Sequence, residues 1–280
     1  MWKLYQLIFR LEAPIHSGYI KIGNVQRTRL YITGRMMWGA FTARITRLQN
    51  SSDYKGIGEM VRKCLRTSYF YPAFYDGDYT DSLTMSTETV ERVLLTSYAS
   101  TAINYSHWAA KEGSLHEIEM ISAKTIHELK DTGVFIEKGS PVFLKGYIFV
   151  SGDTPEKISS YWRDALEKIQ VGGERTYGFG QVCLQTEPHE VSNVFNYNTI
   201  LNEDEPKIEI PKGEKVSAHV RIKNICCDGR VEPFVGRYTE STGNFGKQLS
   251  HAEICWTPES IIQETKILRI TEFGILESTT

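Results

Sequence analysis

Residues 171–180 read Val-Gly-Gly-Glu-Arg-Thr-Tyr-Gly-Phe-Gly, which puts four glycines, Gly172, Gly173, Gly178 and Gly180, into nine positions. Glycine reaches positive φ without a Cβ penalty and lets another backbone come close. Consecutive N–H groups in such a loop converge on anions. Arg175 adds a planar donor fork suited to phosphate, and Tyr177 and Phe179 offer rings for bases to stack on. The run has no Gly-Lys-Ser/Thr, and the residues after it read as a strand rather than a helix. Both features argue against a nucleoside triphosphate loop. The same glycines also suit a helix stop and a tight connection.

A second feature is electrostatic. Between Glu12 and Asp53 lie 40 residues without an acid, although 34 acids in 280 residues would place about five there. Lys21, Arg27, Arg29, Arg35, Arg44 and Arg47 all fall inside this stretch. The chain as a whole carries a net charge of −2, so any grip on a polyanion is local to one face. The run at 236–247 is also glycine-rich and carries two basic groups, a second place where a polyanion could touch.

Catalytic candidates are few. His16 is a lone histidine on a turn after the first strand, with Lys21 five residues on. No partner for His16 is evident, His107 reads equally as a packed aromatic neighbour or a second catalytic group, and Asp53 lies in a generic polar turn. The five cysteines, Cys64, Cys183, Cys226, Cys227 and Cys255, form no C-x-x-C spacing. They read as reduced thiols. No metal and no cofactor is expected.

These residues need elements to position them. Residues 2–11 alternate as a strand with both faces partly covered. A helix follows Gly34, with Met37, Phe41, Ile45 and Leu48 on its apolar stripe. Residues 51–133 read as an insertion, helical over 88–103. In the strand at 141–150, Val142, Leu144, Ile148 and Val150 form one face. Phe143, Lys145, Tyr147 and Phe149 form the other. A helix over 154–169 has Thr154 as N-cap, Pro155 in its first turn, and Ile158, Trp162, Leu166 and Ile169 buried. A strand at 181–185 completes a split βαβ order. Further strands are expected at 215–222 and 266–270. The fold class is therefore α+β, a ferredoxin-like (RRM-like) βαββαβ core over 1–189 with an insertion at about 51–133. A β-rich C-terminal part follows over 190–280. No apolar run approaches the roughly 18 residues of a membrane span, so a cytoplasmic protein with no membrane partner is the expectation.

The run Gly-Gly-x-Arg-x-x-Gly-x-Gly, after a Trp/Leu helix and before a short strand, resembles the signature loop of the RAMP superfamily. These are the RNA-binding proteins of CRISPR effector and processing complexes. Residues 31–41 are similar to that family's first-helix entry, and residues 113–119 with 134–143 to its central strand pair. The likeness covers roughly residues 1–187. It implies a ferredoxin-like fold, single-stranded guide RNA (crRNA) as ligand, and other CRISPR effector subunits as partners. RNA contacts carry over to Gly172, Gly173, Arg175, Tyr177, Gly178 and Gly180. Lys21, Arg27, Arg29, Arg35 and Arg44 are weaker candidates. A single loop with an additional β-rich part suggests the non-catalytic subunit that holds the 5′ tag of the guide in a type III complex. Two alternatives stay open: the repeated backbone subunit, and a metal-independent repeat-RNA endoribonuclease, which the resemblance would build on a His16 imidazole that deprotonates a 2′-hydroxyl while Lys21 stabilises the phosphorane charge.

Overall fold

The computed structural model describes residues 1–131, 133–202, 204–238 and 248–279. Most of the basic run at 236–247 therefore lies outside the described residues. The chain is mixed α+β. In order it forms β1 (Trp2–Leu11), β2 (Gly18–Ile22), β3 (Val25–Thr28), α1 (Gly34–Leu48), α2 (Tyr54–Cys64) and β4 (Leu65–Thr67). Next come β5 (Tyr71–Tyr75), β6 (Tyr79–Asp81), α3 (Thr87–Leu94), β7 (Leu95–Ser100), β8 (Ile103–Asn104), β9 (Ala109–Ala110) and β10 (His116–Ile121). Then follow β11 (Leu129–Asp131), β12 (Val134–Ile136), β13 (Phe143–Ser151), α4 (Glu156–Ser159), α5 (Trp162–Glu167), β14 (Ile169–Gln170), β15 (Gln181–Leu184) and β16 (His189–Glu190). No helix among the described residues is long and apolar enough to cross a membrane.

The first sheet runs β14-β15-β1-β13-β5-β6, with β4 also on β13 and β16 on β1. At its centre β1 and β13 pair antiparallel, from Trp2 opposite Ser151 to Arg10 opposite Phe143. Alternation assigns the faces. Tyr5, Leu7, Phe9 and Leu11 join Leu144 and Ile148 against Met37, Phe41 and Ile45 of α1 and Trp162 of α5. Trp2, Leu4, Tyr147 and Phe149 point the other way. At Gly146, opposite Leu7, a Cβ would stand 2.5 Å from the Phe70 ring, so only glycine lets that ring lie across the strand.

The second face is covered by residues from the C-terminal part. Eight strands form one sheet in the order Asn193–Val194, Tyr197–Ile200, Lys207–Ile210, Lys266–Ile270, Leu276–Ser278, Val220–Arg221, Glu253–Trp256, Val231–Phe234. Its Val194, Ile208, Ile210, Val220 and Leu268 share a core with Leu4, Tyr69, Tyr71 and Phe149. The β1 strand needs apolar residues on both faces because it lies between two layers. Polar ties cross the same boundary. Arg66 on β4 donates to the Ile270 carbonyl at 2.6 Å and to Glu205 at 2.9 Å. The Tyr69 hydroxyl lies 2.7 Å from His219 Nδ1.

Several expectations need correction. Residues 54–81, placed inside an insertion, instead supply α2 and the strands β4, β5 and β6 of the first sheet. The helix expected over 88–103 stops at Leu94, and β7 takes residues 95–100, where Leu95–Ile121 and His116–Ser100 are register pairs with β10. The helix expected over 154–169 breaks into α4 and α5, and Ile169 enters β14. Ile158, Trp162, Leu166 and Ile169 are nonetheless all buried. Thr154 caps no helix; its hydroxyl donates to the Ser151 carbonyl at 2.5 Å. The strand expected over 215–222 is regular only at Val220–Arg221.

Candidate nucleic-acid interface

The glycine loop closes a hairpin. Ile169 pairs with Val182 and Gln170 with Gln181, so β14 and β15 lead into and out of the turn. The Val171 N–H donates to the Gly180 carbonyl at 2.8 Å, extending the ladder by one step. The chain leaving β1 runs beneath: Gly180 N–H donates to the Pro14 carbonyl at 2.8 Å and Gly173 N–H to that of His16 at 2.9 Å. Two glycines are required by this packing. Gly172 has φ 91°, and a Cβ there would lie 2.6 Å from the His16 oxygen. Gly180 has φ 84°, and its Cβ would lie 2.0 Å from the Val171 oxygen. The backbone that these glycines admit is thus the protein's own. Gly172 and Gly180, expected to contact RNA, thus meet the chain's own backbone on this side.

The tip is different. Glu174 is left-handed, a 3₁₀ turn spans Arg175–Tyr177, and left-handed Gly178 ends it. A Cβ on Gly178 would meet nothing within 4 Å. The backbone N–H groups of Glu174, Arg175 and Thr176 have no acceptor among the described residues. Successive amides at such a change of hand form an anion-binding concavity. Arg175 Nε donates back to the Gly172 carbonyl at 3.2 Å, which fixes the guanidinium over the loop. Burial, and then the repulsion of Arg47, lower the Arg175 pKa from its ordinary value, and no carboxylate opposes them. Two arginines that feel each other's charge, with no carboxylate acting on Arg175, favour a phosphate there.

The remaining cations divide sharply. Lys21 is exposed on β2, and Arg47 is exposed in the last turn of α1. Arg44 is half-buried, with its Nε unpartnered among the described residues. Arg27 instead lies 2.7 Å from Glu119. Arg29 lies 2.5 Å from Glu232, donates to the Tyr31 hydroxyl at 2.9 Å, and stacks 4.7 Å over the Tyr19 ring. Burial works against the Arg29 charge, but Tyr31 and Glu232 outweigh it and raise the pKa. Arg35 packs 4.6 Å over the Phe273 ring and donates to the Arg237 carbonyl at 3.2 Å. The structure therefore gathers Arg175 with Arg47 and commits Arg27, Arg29 and Arg35 to internal contacts.

Of the two loop rings, Phe179 is buried and unavailable for stacking, whereas Tyr177 is exposed. Tyr177 has neighbours: its hydroxyl lies 3.3 Å from His116 Nε2, and its ring centroid 6.1 Å from that of Tyr98. His16 is 4% exposed, and its Nδ1 lies 2.7 Å from the Glu119 carbonyl oxygen. A carbonyl only accepts, so neutral His16 carries its proton on Nδ1. Asp53 accepts the Gly56 N–H at 2.8 Å as the N-cap of α2, which accounts for it structurally.

No family model and no curated protein matches the chain. Solved structures do. The chain aligns with one in the cryo-EM structure of the Type III-B Cmr-beta bound to cognate target RNA and AMPPnP, state 1. The TM-score is 0.51 at 11% identity, over 92% of this chain and 85% of that one. In the cryo-EM structure of the Type III-B Cmr-beta bound to cognate target RNA the TM-score is 0.50 at 11% identity, over 92% and 86%. The fold is shared with a Type III-B Cmr-beta chain.

Three residues of this surface escaped the sequence-based site: Arg47, Tyr98 and His116. Arg47 was legible as a base off the helix stripe. Tyr98 and His116 gave no local signal, because β7 and β10 bring them to the loop from distant parts of the chain.

Proposed function

We propose that the chain is an RNA-binding, non-catalytic subunit of a type III CRISPR effector complex, built on a ferredoxin-like core of the RAMP kind. It holds guide RNA at the tip of the glycine loop, with Arg175 and Arg47 on phosphate and Lys21 and Arg44 as further cations. The observation that carries this reading is the Arg175 guanidinium, fixed on the loop beside a second arginine and without a carboxylate partner. Free amides at Glu174, Arg175 and Thr176 suit the same anion. The fold shared with a chain of an RNA-bound Cmr-beta complex supports the setting. The non-catalytic reading is supported by the burial of His16 and by the carbonyl held against its Nδ1. We assign it to the 5′ tag of the guide on the strength of its single loop and its additional C-terminal sheet.

The test is purification from cells that express a CRISPR array, with sequencing of bound RNA and native mass spectrometry of the complex. The expected result is guide RNA protected at its 5′ end and one copy of this chain per guide. Several copies per guide would assign it to the repeated backbone instead. Recovery with protein partners but no RNA would refute the reading.

A further inference from the structure

Outside the cations, one exposed cluster is built from three separate elements. Tyr98 on β7 is 43% exposed and Tyr177 on the loop 48% exposed. His116 on β10 completes the group, its ring centroid 6.3 Å from that of Tyr177. The register explains the meeting. Tyr98 pairs with Ile118 and His116 with Ser100, so Tyr98, His116 and buried Ile118 project to one face of the sheet. The loop tip lies against that face. His116 Nδ1 lies 3.2 Å from the Ser114 carbonyl oxygen, so in the neutral ring Nδ1 carries the proton and Nε2 accepts from the Tyr177 hydroxyl. That bond tethers the exposed tyrosine ring at the loop tip, whose centroid also lies 6.4 Å from that of Phe179. Tyr98, at 6.1 Å and tilted by 54°, flanks it.

Two half-exposed tyrosines side by side offer ring faces for a ligand to cover. Their neighbour Arg175 defines the chemistry of that ligand. A cation without a counter-ion, beside flat π-faces, matches a ligand that alternates negative charge with aromatic rings. Such a ligand is single-stranded nucleic acid, whose bases stack on aromatic side chains while its phosphates meet the cations. In duplex RNA the base faces are already occupied by their neighbours, so a duplex would leave the rings uncovered.

We infer that Tyr98, Tyr177 and His116 form a stacking platform for one unpaired base of the RNA strand whose phosphate is held by Arg175. The platform rests on the RNA-binding reading above and adds to it a base-contacting surface supplied by β7 and β10. Stacking is tolerant of sequence, because every base has a π-face, and purines gain more from their larger rings. The platform is therefore selective for an unpaired base over none, and only weakly for which base it is.

The test uses the full purified chain and three fluorescein-labelled probes: decaadenylate, decauridylate, and an abasic ribose-phosphate decamer of the same charge. Anisotropy titrations give each affinity. The expected result is decaadenylate bound roughly 5- to 100-fold more tightly than the abasic decamer, the worth of one stacked base. Tyr98→Ala removes most of that preference and leaves abasic binding unchanged, whereas Tyr98→Trp retains it. Arg175→Ala weakens all three probes together. If the unsubstituted chain binds decaadenylate and the abasic decamer equally, the platform is refuted while the RNA-binding reading stands. If no probe binds, both fall. Tyr98 is half-exposed, and circular dichroism of the variants confirms that they fold.

Discussion

Substituting Arg175 by alanine tests the proposed phosphate grip, and its magnitude follows from which cations the structure leaves unpaired. Arg175, Arg47, Arg44 and Lys21 have no carboxylate partner among the described residues. Each phosphate contact to a single strand contributes about −0.7 to the slope of log K against log salt, so four contacts set it near −2.8. Arg175→Ala lowers the magnitude to about 2.1, and counterion release alone weakens binding about fourfold near 0.15 M salt. Loss of its charge-assisted hydrogen bonds adds to that. The assay is anisotropy of a labelled guide-length oligoribonucleotide titrated across a series of KCl concentrations. Arg27→Ala is the control, because Arg27 already faces Glu119 at 2.7 Å and releases no counterion to RNA. An unchanged slope for Arg175→Ala together with a lowered slope for Arg27→Ala would refute the assignment of the loop as the grip.

The other predictions concern the frame around that grip. Gly180→Ala sets a Cβ 2.0 Å from the Val171 oxygen at φ 84°, and Gly178→Ala meets nothing at the same φ. Chemical denaturation therefore shows a loss of about 3 kcal/mol for Gly180→Ala and about 1 kcal/mol for Gly178→Ala, the left-handed penalty alone. Equal losses would contradict the packing of the loop on its own hairpin. Glu232→Gln removes the carboxylate that holds Arg29 and His219, at 2.5 and 2.6 Å, and costs about 3 kcal/mol of stability as the buried pair breaks. The same site sets an acid limit. Burial, against the opposing bond to Glu232, holds the His219 pKa below its ordinary value, so folding favours the neutral ring. Glu232 is lowered too: burial raises its pKa, but His219 and Arg29 outweigh that. Both groups bind fewer protons in the folded state, so stability is full above about pH 6.5 and falls as acid first protonates His219 in the unfolded chain. Glu232 extends the decline below about pH 4.5. Denaturation midpoints from pH 7.5 to 4 measure the decline, and His219→Gln flattens its upper part; a midpoint constant from pH 7.5 to 5.5 in the unsubstituted chain would contradict this.

Local regularities were legible in the amino-acid order. The alternation of β1, the stripe of α1 and the two faces of β13 follow from periods of two and 3.6 residues. The glycines at 172 and 180 announce themselves because only that residue takes positive φ beside a neighbouring carbonyl. The acid-free stretch from 13 to 52 was equally visible, but its meaning was not. Glu119 and Glu232 are distant in the chain, yet they neutralise Arg27 and Arg29. Arg35 is taken up by Phe273 and the Arg237 carbonyl. Charge counted along a chain cannot show which charges meet across space, because ion pairing depends on distance in the fold. The same holds for Tyr98 and His116, which reach Tyr177 only through the strand register of β7 and β10. Sequence alone determined the buried faces of β1, β13 and α1 and the tight turn at Gly172 and Gly180. Tertiary structure decided which cations stay free, and that decision selects Arg175 and Arg47.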